Sequence, residues 1–396
     1  MKTINYGWVI VGVGLLVNMA GLGFGRFAYP LLIPDMRGAL GFNYMEMGLL
    51  SGAIMLGYLL FSLLGGMLTT RLGSKRIVVA SLLCGALSMF CIGRSSRFFP
   101  LLVFAFAMGA GGAGTHISMA TLPMAWFDER RLGRALGIVT GGTGLGILLT
   151  GLLLPYILLS FGKEAWRLCW LLLSLITFLV AVMGWIGLRE KPNQTAILPF
   201  SSDGKKESIP SVGKRGGLPL KAIFIIYFIF GFAYNIYATY FVAYMVEDLR
   251  LSEKTAGDVW AIFGWMCMCS GLLWGFISDR LGRRRTLIWN NGIIAFSALL
   301  PVLLHQPFFL GFAALLFGGT FLGTVVIIAA AVGDRVVEKR GSVYGLVTLT
   351  HGIGQLLGTI LGGYLKDLTG SFQWNLICSL VGFLLCVGLA AFNKER

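Results

Sequence analysis

The stretch GFISDRLGRRR (residues 275–285) decides the fold, because GMLTTRLGSKR (residues 66–76) repeats its glycines and its first arginine 209 residues earlier. Two further pairs of segments keep almost the same spacing along the chain. Gly109, Gly114 and Thr115 recur as Gly318, Gly323 and Thr324, and Gly133, Gly137, Gly144 and Gly146 recur as Gly341, Gly345, Gly352 and Gly354. Three pairs at nearly one offset predict that the chain contains two copies of one structural unit.

The composition predicts an all-α membrane protein. Of the 396 residues 57% are hydrophobic and 12% are charged, and the mean hydropathy is +0.82, whereas soluble domains carry about 25% charged residues. Twelve apolar segments are long enough for transmembrane helices, at 6–34, 46–70, 76–94, 98–126, 133–160, 165–188, 220–247, 256–278, 286–304, 307–333, 341–366 and 372–392. We predict two parallel six-helix repeats: an N-terminal bundle (1–188), a polar cytoplasmic linker (189–219) and a C-terminal bundle (220–396).

The distribution of lysine and arginine predicts the orientation. Most of the 32 basic residues fall in the segments that share a side with both termini and the linker, and basic loops face the cytoplasm. The net charge of +15 then matches an anionic lipid surface, so we expect the bilayer and no nucleic acid as partner. We expect a monomeric, multi-pass protein of a bacterial inner membrane, with both termini cytoplasmic.

The sequence offers no sign of a cofactor or a metal site. All seven cysteines lie in apolar segments, where cysteine behaves as a small apolar residue. Cys267 and Cys269 are two positions apart, so they point away from each other on a helix. We therefore expect no metal ligands, no cofactor and no catalytic residues. An enzyme would need clustered catalytic groups at one membrane interface.

The stretch at 275–285 resembles the cytoplasmic signature of the major facilitator superfamily, G-x-x-x-D-R-x-G-R-R, and the stretch at 66–76 resembles a degenerate copy of it. The resemblance covers the whole chain and implies the fold of that family. It also implies gating roles for Gly275, Asp279, Arg280, Gly282, Arg71 and Gly73. The first copy departs from the signature at Thr70, where the family carries aspartate. Alternatively, the basic loops serve topology alone. Possible partners of the latch lie between the tenth and eleventh segments: Asp334, Arg335, Glu338 and Arg340.

The fifth segment contains GIVTGGTGLG (residues 137–146). It partly resembles the G-x-x-x-G-P-x-x-G-G motif of proton-coupled drug antiporters. Gly142 replaces the proline and Leu145 replaces a glycine, which counts against a drug antiporter. We expect these glycines to let the helix pack closely against a helix of the other half.

Arg26 is a full charge inside the first apolar segment. Such a charge costs a few kcal/mol or more and usually faces a cavity, although an arginine can also snorkel to headgroups. At 1.5 Å per residue Arg26 lies ~27 Å from Trp8, which predicts a position in the outer half of the bilayer, at an outer gate. None of the 17 acidic residues lies clearly mid-membrane, so the core favours an anion.

Other polar residues in apolar segments complete the predicted binding site. Helical spacing places Asn18, Leu22, Arg26 and Tyr29 on one side of the first helix. The remaining candidates are His116, Tyr234, Asn235, Tyr237, His351 and Gln355. Histidine could carry a coupled proton or could serve as a structural hydrogen-bonding group. Trp260, Trp265 and Thr324 could line other walls, and helix packing explains them equally well.

These observations predict a secondary transporter that moves a small organic anion by alternating access, with proton coupling. The pattern resembles the monocarboxylate and oxalate–formate branch of the superfamily, although that branch usually places another basic residue late in the C-terminal half, and none is found here. One alternative is an exporter of hydrophobic drugs or metabolites. Another is a membrane sensor that transports nothing.

Overall fold

Twelve long helices, α1 to α12, make up the part of the chain that the structure, a computed structural model, describes: residues 6–190, 218–336 and 340–393. α1 consists of Tyr6–Asn18, Met19–Phe24, Gly25–Phe27 and Tyr29–Leu40. The others are α2 (Tyr44–Leu72), α3 (Ser74–Arg94), α4 (Phe98–Trp126), α5 (Glu129–Phe161), α6 (Ala165–Gly187), α7 (Leu220–Ala243, extended by the π-helical turn Tyr244–Asp248), α8 (Glu253–Leu281), α9 (Arg283–Leu303), α10 (Pro307–Arg335), α11 (Arg340–Thr369) and α12 (Gln373–Phe392). The predicted all-α fold of twelve helices is confirmed. Residues 191–217 of the predicted linker lie outside the described residues.

Eleven of these helices are long and apolar enough to cross a bilayer, judged on the described residues. The twelfth, α11, is 30 residues long but carries polar side chains, among them His351 and Gln355. Both of these side chains are buried. Polar groups within a membrane protein face its interior, so these two side chains place one side of α11 toward the interior of the bundle.

The two sets of six helices repeat one packing pattern. α2 packs on α4 as α8 packs on α10, α3 packs on α6 as α9 packs on α12, and α1 packs on α5 as α7 packs on α11. Between the halves, α5 packs on α8 and α2 packs on α11. These two contacts are equivalent under the repeat, which agrees with the internal repetition of the sequence.

Glycines bring α5 against α8. A Cβ atom at Gly144 would lie 2.7 Å from the carbonyl oxygen of Gly264, and one at Gly264 would lie 2.4 Å from the backbone nitrogen of Leu148. Backbones approach this closely only where side chains are absent. The prediction that the α5 glycines pack against the other half is therefore confirmed for Gly137 and Gly144, whereas Gly142 and Gly146 pack against α1 of the same half.

α1 is not the uniform α-helix that the sequence analysis assumed. Residues Met19–Phe24 form a π-helical turn and Ala28 forms a bend. Here a Cβ at Gly21 would lie 2.6 Å from the Thr115 side chain, and one at Gly23 would lie 2.8 Å from Cα of Gly146. The glycines thus allow α1 to pack against α4 and α5. The π turn is wider than an α-helical turn, so it rotates the residues after Phe24 about the helix axis. The residues beyond this turn therefore lose the α-helical register predicted for them.

The start of α1 and the end of α12 lie at one end of the bundle, here called the terminal end. The Tyr6 hydroxyl, at the start of α1, donates to the carbonyl of Gly187 at 2.9 Å, and Arg284, at the start of α9, donates to the carbonyl of Ala390 at 2.8 Å.

At the opposite, distal end, the two halves are hydrogen-bonded to each other. The Asp367 carboxylate of α11 accepts hydrogen bonds from the backbone nitrogens of Tyr44 (3.0 Å) and Met45 (2.7 Å) in the first turn of α2. Arg37 and Glu247 form a second contact between the halves, at 3.7 Å. Asp367 thereby caps a helix of the other half, where a negative charge is favoured.

Candidate functional site

The Arg26 side chain crosses from α1 into the C-terminal half. Its Nη2 donates to the Tyr234 hydroxyl, to Oε1 of Gln355 at 3.1 Å and, more weakly, to Oδ1 of Asn235 at 3.5 Å. Tyr234 lies midway along the span Leu220–Asp248, so the guanidinium sits at mid-depth. The predicted position in the outer half of the bilayer is therefore wrong, because the side chain reaches the centre of α7.

The partners of Arg26 are fixed by a bond between α7 and α11. Nδ2 of Asn235 donates to the backbone carbonyl of Gln355 at 3.0 Å, so Oδ1 of Asn235 is left as an acceptor for the guanidinium. The side-chain oxygen Oε1 of Gln355 is a separate acceptor. The site thus brings together four of the predicted residues: Arg26, Tyr234, Asn235 and Gln355.

Aromatic rings surround the guanidinium. Its central carbon lies 5.3 Å from the ring centroid of Phe27, 5.8 Å from that of Tyr58 and 5.7 Å from that of Tyr234. Distances below about 6 Å permit cation–π attraction. The sequence analysis missed Tyr58 and Phe27. A tyrosine in the apolar middle of α2 was the available signal, because a buried phenol needs a polar partner.

His116 and Asn18 form a pair within the N-terminal half. Nδ2 of Asn18 donates to the carbonyl of Val139 at 3.0 Å, so its Oδ1 is left to accept from Nδ1 of His116 at 3.3 Å. With Nδ1 as donor, Nε2 of the neutral imidazole keeps its lone pair.

His351 lies beside Tyr234 in a stack of rings. Its Nδ1 lies 3.1 Å from the carbonyl oxygen of Tyr227 and donates to it, because a carbonyl only accepts. Its ring stacks on that of Tyr227 at 4.1 Å, and the Tyr234 ring follows at 5.7 Å. His351 is thus held in one tautomer next to a partner of Arg26.

Two predicted binding residues lie elsewhere. The Tyr29 hydroxyl donates to the carbonyl of Met47 at 2.7 Å, so Tyr29 faces α2. The Tyr237 ring stacks on Phe317 at 4.3 Å, away from Arg26. The prediction that Asn18, Leu22, Arg26 and Tyr29 share one side of α1 is wrong, because the π turn separates Asn18 from the residues that follow it.

Trp260 and Thr324 agree with helix packing, whereas Trp265 agrees with neither of the two predicted roles. Nε1 of Trp260 donates to the carbonyl of Phe27 at 3.2 Å, and Thr324 accepts from Nδ2 of Asn290 at 2.7 Å. Trp265 is exposed on the outside of the bundle. The described residues hold no cluster of His, Cys, Asp or Glu that could bind a metal ion.

The ion pairs of the 275–285 stretch centre on Arg283 instead of Arg280. Arg283 donates to Asp279 at 2.6 Å and to Asp334 at 2.8 Å, whereas the Arg280 guanidinium lies over the Phe276 ring at 4.0 Å. Asp334 was one of the expected partners, while Glu338 and the Arg340 side chain lie outside the described part. These pairs join α8, α9 and α10 within the C-terminal half, so they do not link the halves in this conformation.

In the first copy of the motif, Glu190 supplies the carboxylate that Thr70 lacks. Oε1 of Glu190 accepts from the backbone nitrogen of Lys75 at 2.9 Å, at the start of α3, while Thr70 bonds back to the carbonyl of Gly66. Arg71 is exposed.

The turn glycines of the two copies, Gly73 and Gly282, have φ angles of +89° and +85°. Such angles favour glycine, which explains the tight turns predicted there. Gly275 differs, because a Cβ there would make only an ordinary contact at 3.5 Å with Val326.

Known proteins resemble this chain along most of its length. It is 26% identical over 397 residues to the hexuronate transporter of Bacillus subtilis (strain 168), covering 93% of this chain and 88% of that protein. It is 21% identical over 392 residues to the probable sulfoacetate transporter SauU of Cupriavidus necator, covering 90% and 86%. Among solved structures, a bacterial homologue of the human lysosomal transporter Spinster, in an inward-facing and unoccupied conformation, superimposes with a TM-score of 0.79 at 13% identity, covering 98% and 97% of the two chains.

The family model for the uncharacterised MFS-type transporter YbfB matches residues 18–391. This range contains ten complete helices, most of α1, all of α12 except its last residue, and all the residues gathered around Arg26. The protein belongs to this family of MFS-type transporters.

Proposed function

We propose that the protein is a secondary transporter that moves a small organic anion, of the monocarboxylate type, together with a proton by alternating access. The observation that carries the proposal is the Arg26 guanidinium at mid-depth. Within the described residues its hydrogen-bond acceptors are all neutral. Arg26 is partly buried, and a cation withdrawn from water without a counter-ion is unfavourable, so an anionic ligand would stabilise this arrangement.

A carboxylate would bind Arg26 through two charge-assisted hydrogen bonds, which are stronger than bonds to neutral oxygens. Tyr234, Asn235 and Gln355 would then orient the ligand from the C-terminal half. The coupled proton would bind to His116 or His351, because each imidazole keeps an Nε2 lone pair. Asn18 would contribute through its hydrogen bond to His116. Tyr29 and Tyr237 would support the site through packing. The names of the relatives, a hexuronate and a probable sulfoacetate transporter, agree with an organic anion.

We propose in addition that the two bundles move relative to each other during transport. The bundles 1–188 and 220–396 would rock about the central site as a monomer in a bacterial inner membrane, with both termini cytoplasmic. Asp279, Arg280, Gly275, Gly282, Arg71 and Gly73 would serve gating by keeping the loops of each half rigid. Arg283 would join them as the centre of the ion pairs.

Uptake of radiolabelled lactate into proteoliposomes tests this function. We expect saturable uptake that is faster with an inward proton gradient. Arg26→Ala should reduce it at least ~10-fold, since bonds to a charged group contribute about 1.5–3 kcal/mol. Arg97→Ala, which removes an exposed arginine at the start of α4, serves as the matched control. Uptake that survives Arg26→Ala unchanged would rule out the anion site.

A further inference from the structure

We infer that the anion which binds at Arg26 is an aromatic monocarboxylate, a planar ring with one carboxylate, instead of a sugar acid or a dicarboxylate. This inference rests on the proposed function, because it assigns the substrate chemistry of the same site. Nothing in the names of the relatives points to an aromatic ligand.

The charge at the site matches one carboxylate. Of the described lysines and arginines, Arg26 is the one whose side chain meets the centre of α7 and α11. One guanidinium pairs with one carboxylate in the bidentate manner. A second carboxylate on the same ligand would be buried without a basic partner, at a cost of several kcal/mol.

Flat aromatic rings lie next to the charge. Phe27 and Tyr58 approach the guanidinium from the N-terminal half. From the C-terminal half, the Tyr234 ring packs on Phe321 at 5.0 Å and continues the stack that contains His351. Aromatic rings pack on one another by offset stacking or edge-to-face contact, so a ring attached to the carboxylate finds partners in both halves.

The side-chain amides of Asn18 and Asn235 are engaged with the protein itself. Asn18 is bonded through both ends of its amide, to Val139 and to His116. Asn235 is likewise bonded to Gln355 and Arg26. Each hydroxyl of a sugar acid that lacks a partner would cost about 1–3 kcal/mol. An aromatic ring carries no such groups, so this lining favours it.

Binding of radiolabelled benzoate to the full-length protein, purified in detergent, tests the inference by scintillation proximity at pH 7.5. We expect saturable binding. D-Glucuronate and the dicarboxylate phthalate should compete at least ~10-fold more weakly than unlabelled benzoate, the ratio for about 1.4 kcal/mol. Benzamide, which has the ring without the charge, should not compete.

A ring variant separates the aromatic contact from the charge. Tyr58→Leu should weaken benzoate binding ~3- to 10-fold, the range expected for one aromatic pair, and should weaken lactate competition by a smaller factor, because lactate has no ring to lose that contact. Tyr58→Phe keeps the ring and should retain the affinity. Tyr156→Leu, at a tyrosine that is 57% exposed, is the matched control. Phe27→Leu provides the same test from α1, and size-exclusion chromatography verifies that each variant is folded.

The outcomes are distinguishable. Glucuronate or phthalate binding as tightly as benzoate, or Tyr58→Leu weakening lactate and benzoate equally, would overturn the aromatic class and leave the anion site intact. The absence of binding by every carboxylate tested would overturn the proposed function together with this inference.

Discussion

Arg26 is stabilised by contacts that come from both halves of the molecule. Its three hydrogen-bond acceptors replace part of the water that a guanidinium loses in the membrane, and the neighbouring rings add cation–π attraction. Neutral acceptors compensate a charge only in part. This residual cost is the physical reason for proposing an anion as the ligand of this residue.

The carboxyl group of Asp35 makes the stability of the protein depend on pH. It lies on the Tyr29–Leu40 piece of α1, where burial and then the carboxylates of Glu253 and Glu247 raise its pKa from 3.8 to about 7. Arg37 and Lys366 also line the cavity beside it, together with Asp248, Arg250 and His305. The folded state holds this proton more tightly than the unfolded state, so the free energy of unfolding falls as pH rises from about 4 to about 7.

Asp35→Asn should therefore flatten this pH dependence. Thermal unfolding in detergent, followed by tryptophan fluorescence, should show the variant melting above the wild type at pH 8 and close to it at pH 5. Asp258→Asn, which changes an exposed acid of α8, is the control. Parallel pH profiles of wild type and Asp35→Asn would contradict the assignment.

At the residue scale, a polar group inside an apolar segment was the most useful signal in the sequence. It identified Arg26, Tyr234, Asn235 and Gln355, because burial of such groups requires partners. It failed for Tyr29 and Tyr237. Their phenols are equally unusual in a membrane, but a hydroxyl bonded to a helix carbonyl, as in Tyr29 with Met47, looks the same in sequence as one that faces a cavity.

At the scale of the helices, the contact between α5 and α8 predicts which glycines tolerate a methyl group. Gly264→Ala would place Cβ 2.4 Å from the backbone nitrogen of Leu148 and 2.8 Å from the carbonyl oxygen of Gly144. Backbone atoms cannot yield, so overpacking of about 1–3 kcal/mol exceeds the gain in helix propensity of about 1 kcal/mol. We expect a lower melting temperature and slower transport.

Gly141→Ala is the matched comparison on α5. Its Cβ would meet only a carbonyl oxygen at 3.8 Å, so the propensity term should dominate and the melting temperature should stay equal or rise. Equal melting temperatures for Gly264→Ala and Gly141→Ala would show that the close approach of these helices does not limit stability.

At the scale of the whole molecule, we predict that Asp367 holds the two halves together at the distal end. Its carboxylate caps α2 across the boundary between the halves. Asp367→Ala leaves the backbone nitrogens of Tyr44 and Met45 without this partner, and loss of such a cap costs about 0.5–2 kcal/mol. We expect the population of molecules with an open distal end to increase.

Spin labels at Gly38 and Leu368, both exposed, measure this opening by pulsed electron resonance. The distribution of distances between the two labels should contain a larger fraction of long distances in Asp367→Ala than in the wild type. Glu46→Ala provides the control, because Glu46 bonds to the backbone of Asn43 at the same helix end without crossing to the other half. An unchanged distance distribution in Asp367→Ala, or an equal change in both variants, would contradict the role of the cap.

The sequence by itself determined the membrane class, the two repeats and the presence of a charge, Arg26, inside the first apolar segment. These follow from hydropathy, from spacing and from the cost of a charge in hydrocarbon, each of which can be read along the chain. Only the tertiary structure decided where that charge acts. The Arg26 side chain reaches the centre of α7 at mid-depth, and its partner Gln355 lies 329 residues further along the chain. Helical periodicity describes neighbours within a few turns, whereas contacts between halves depend on how closely glycines let the helices approach.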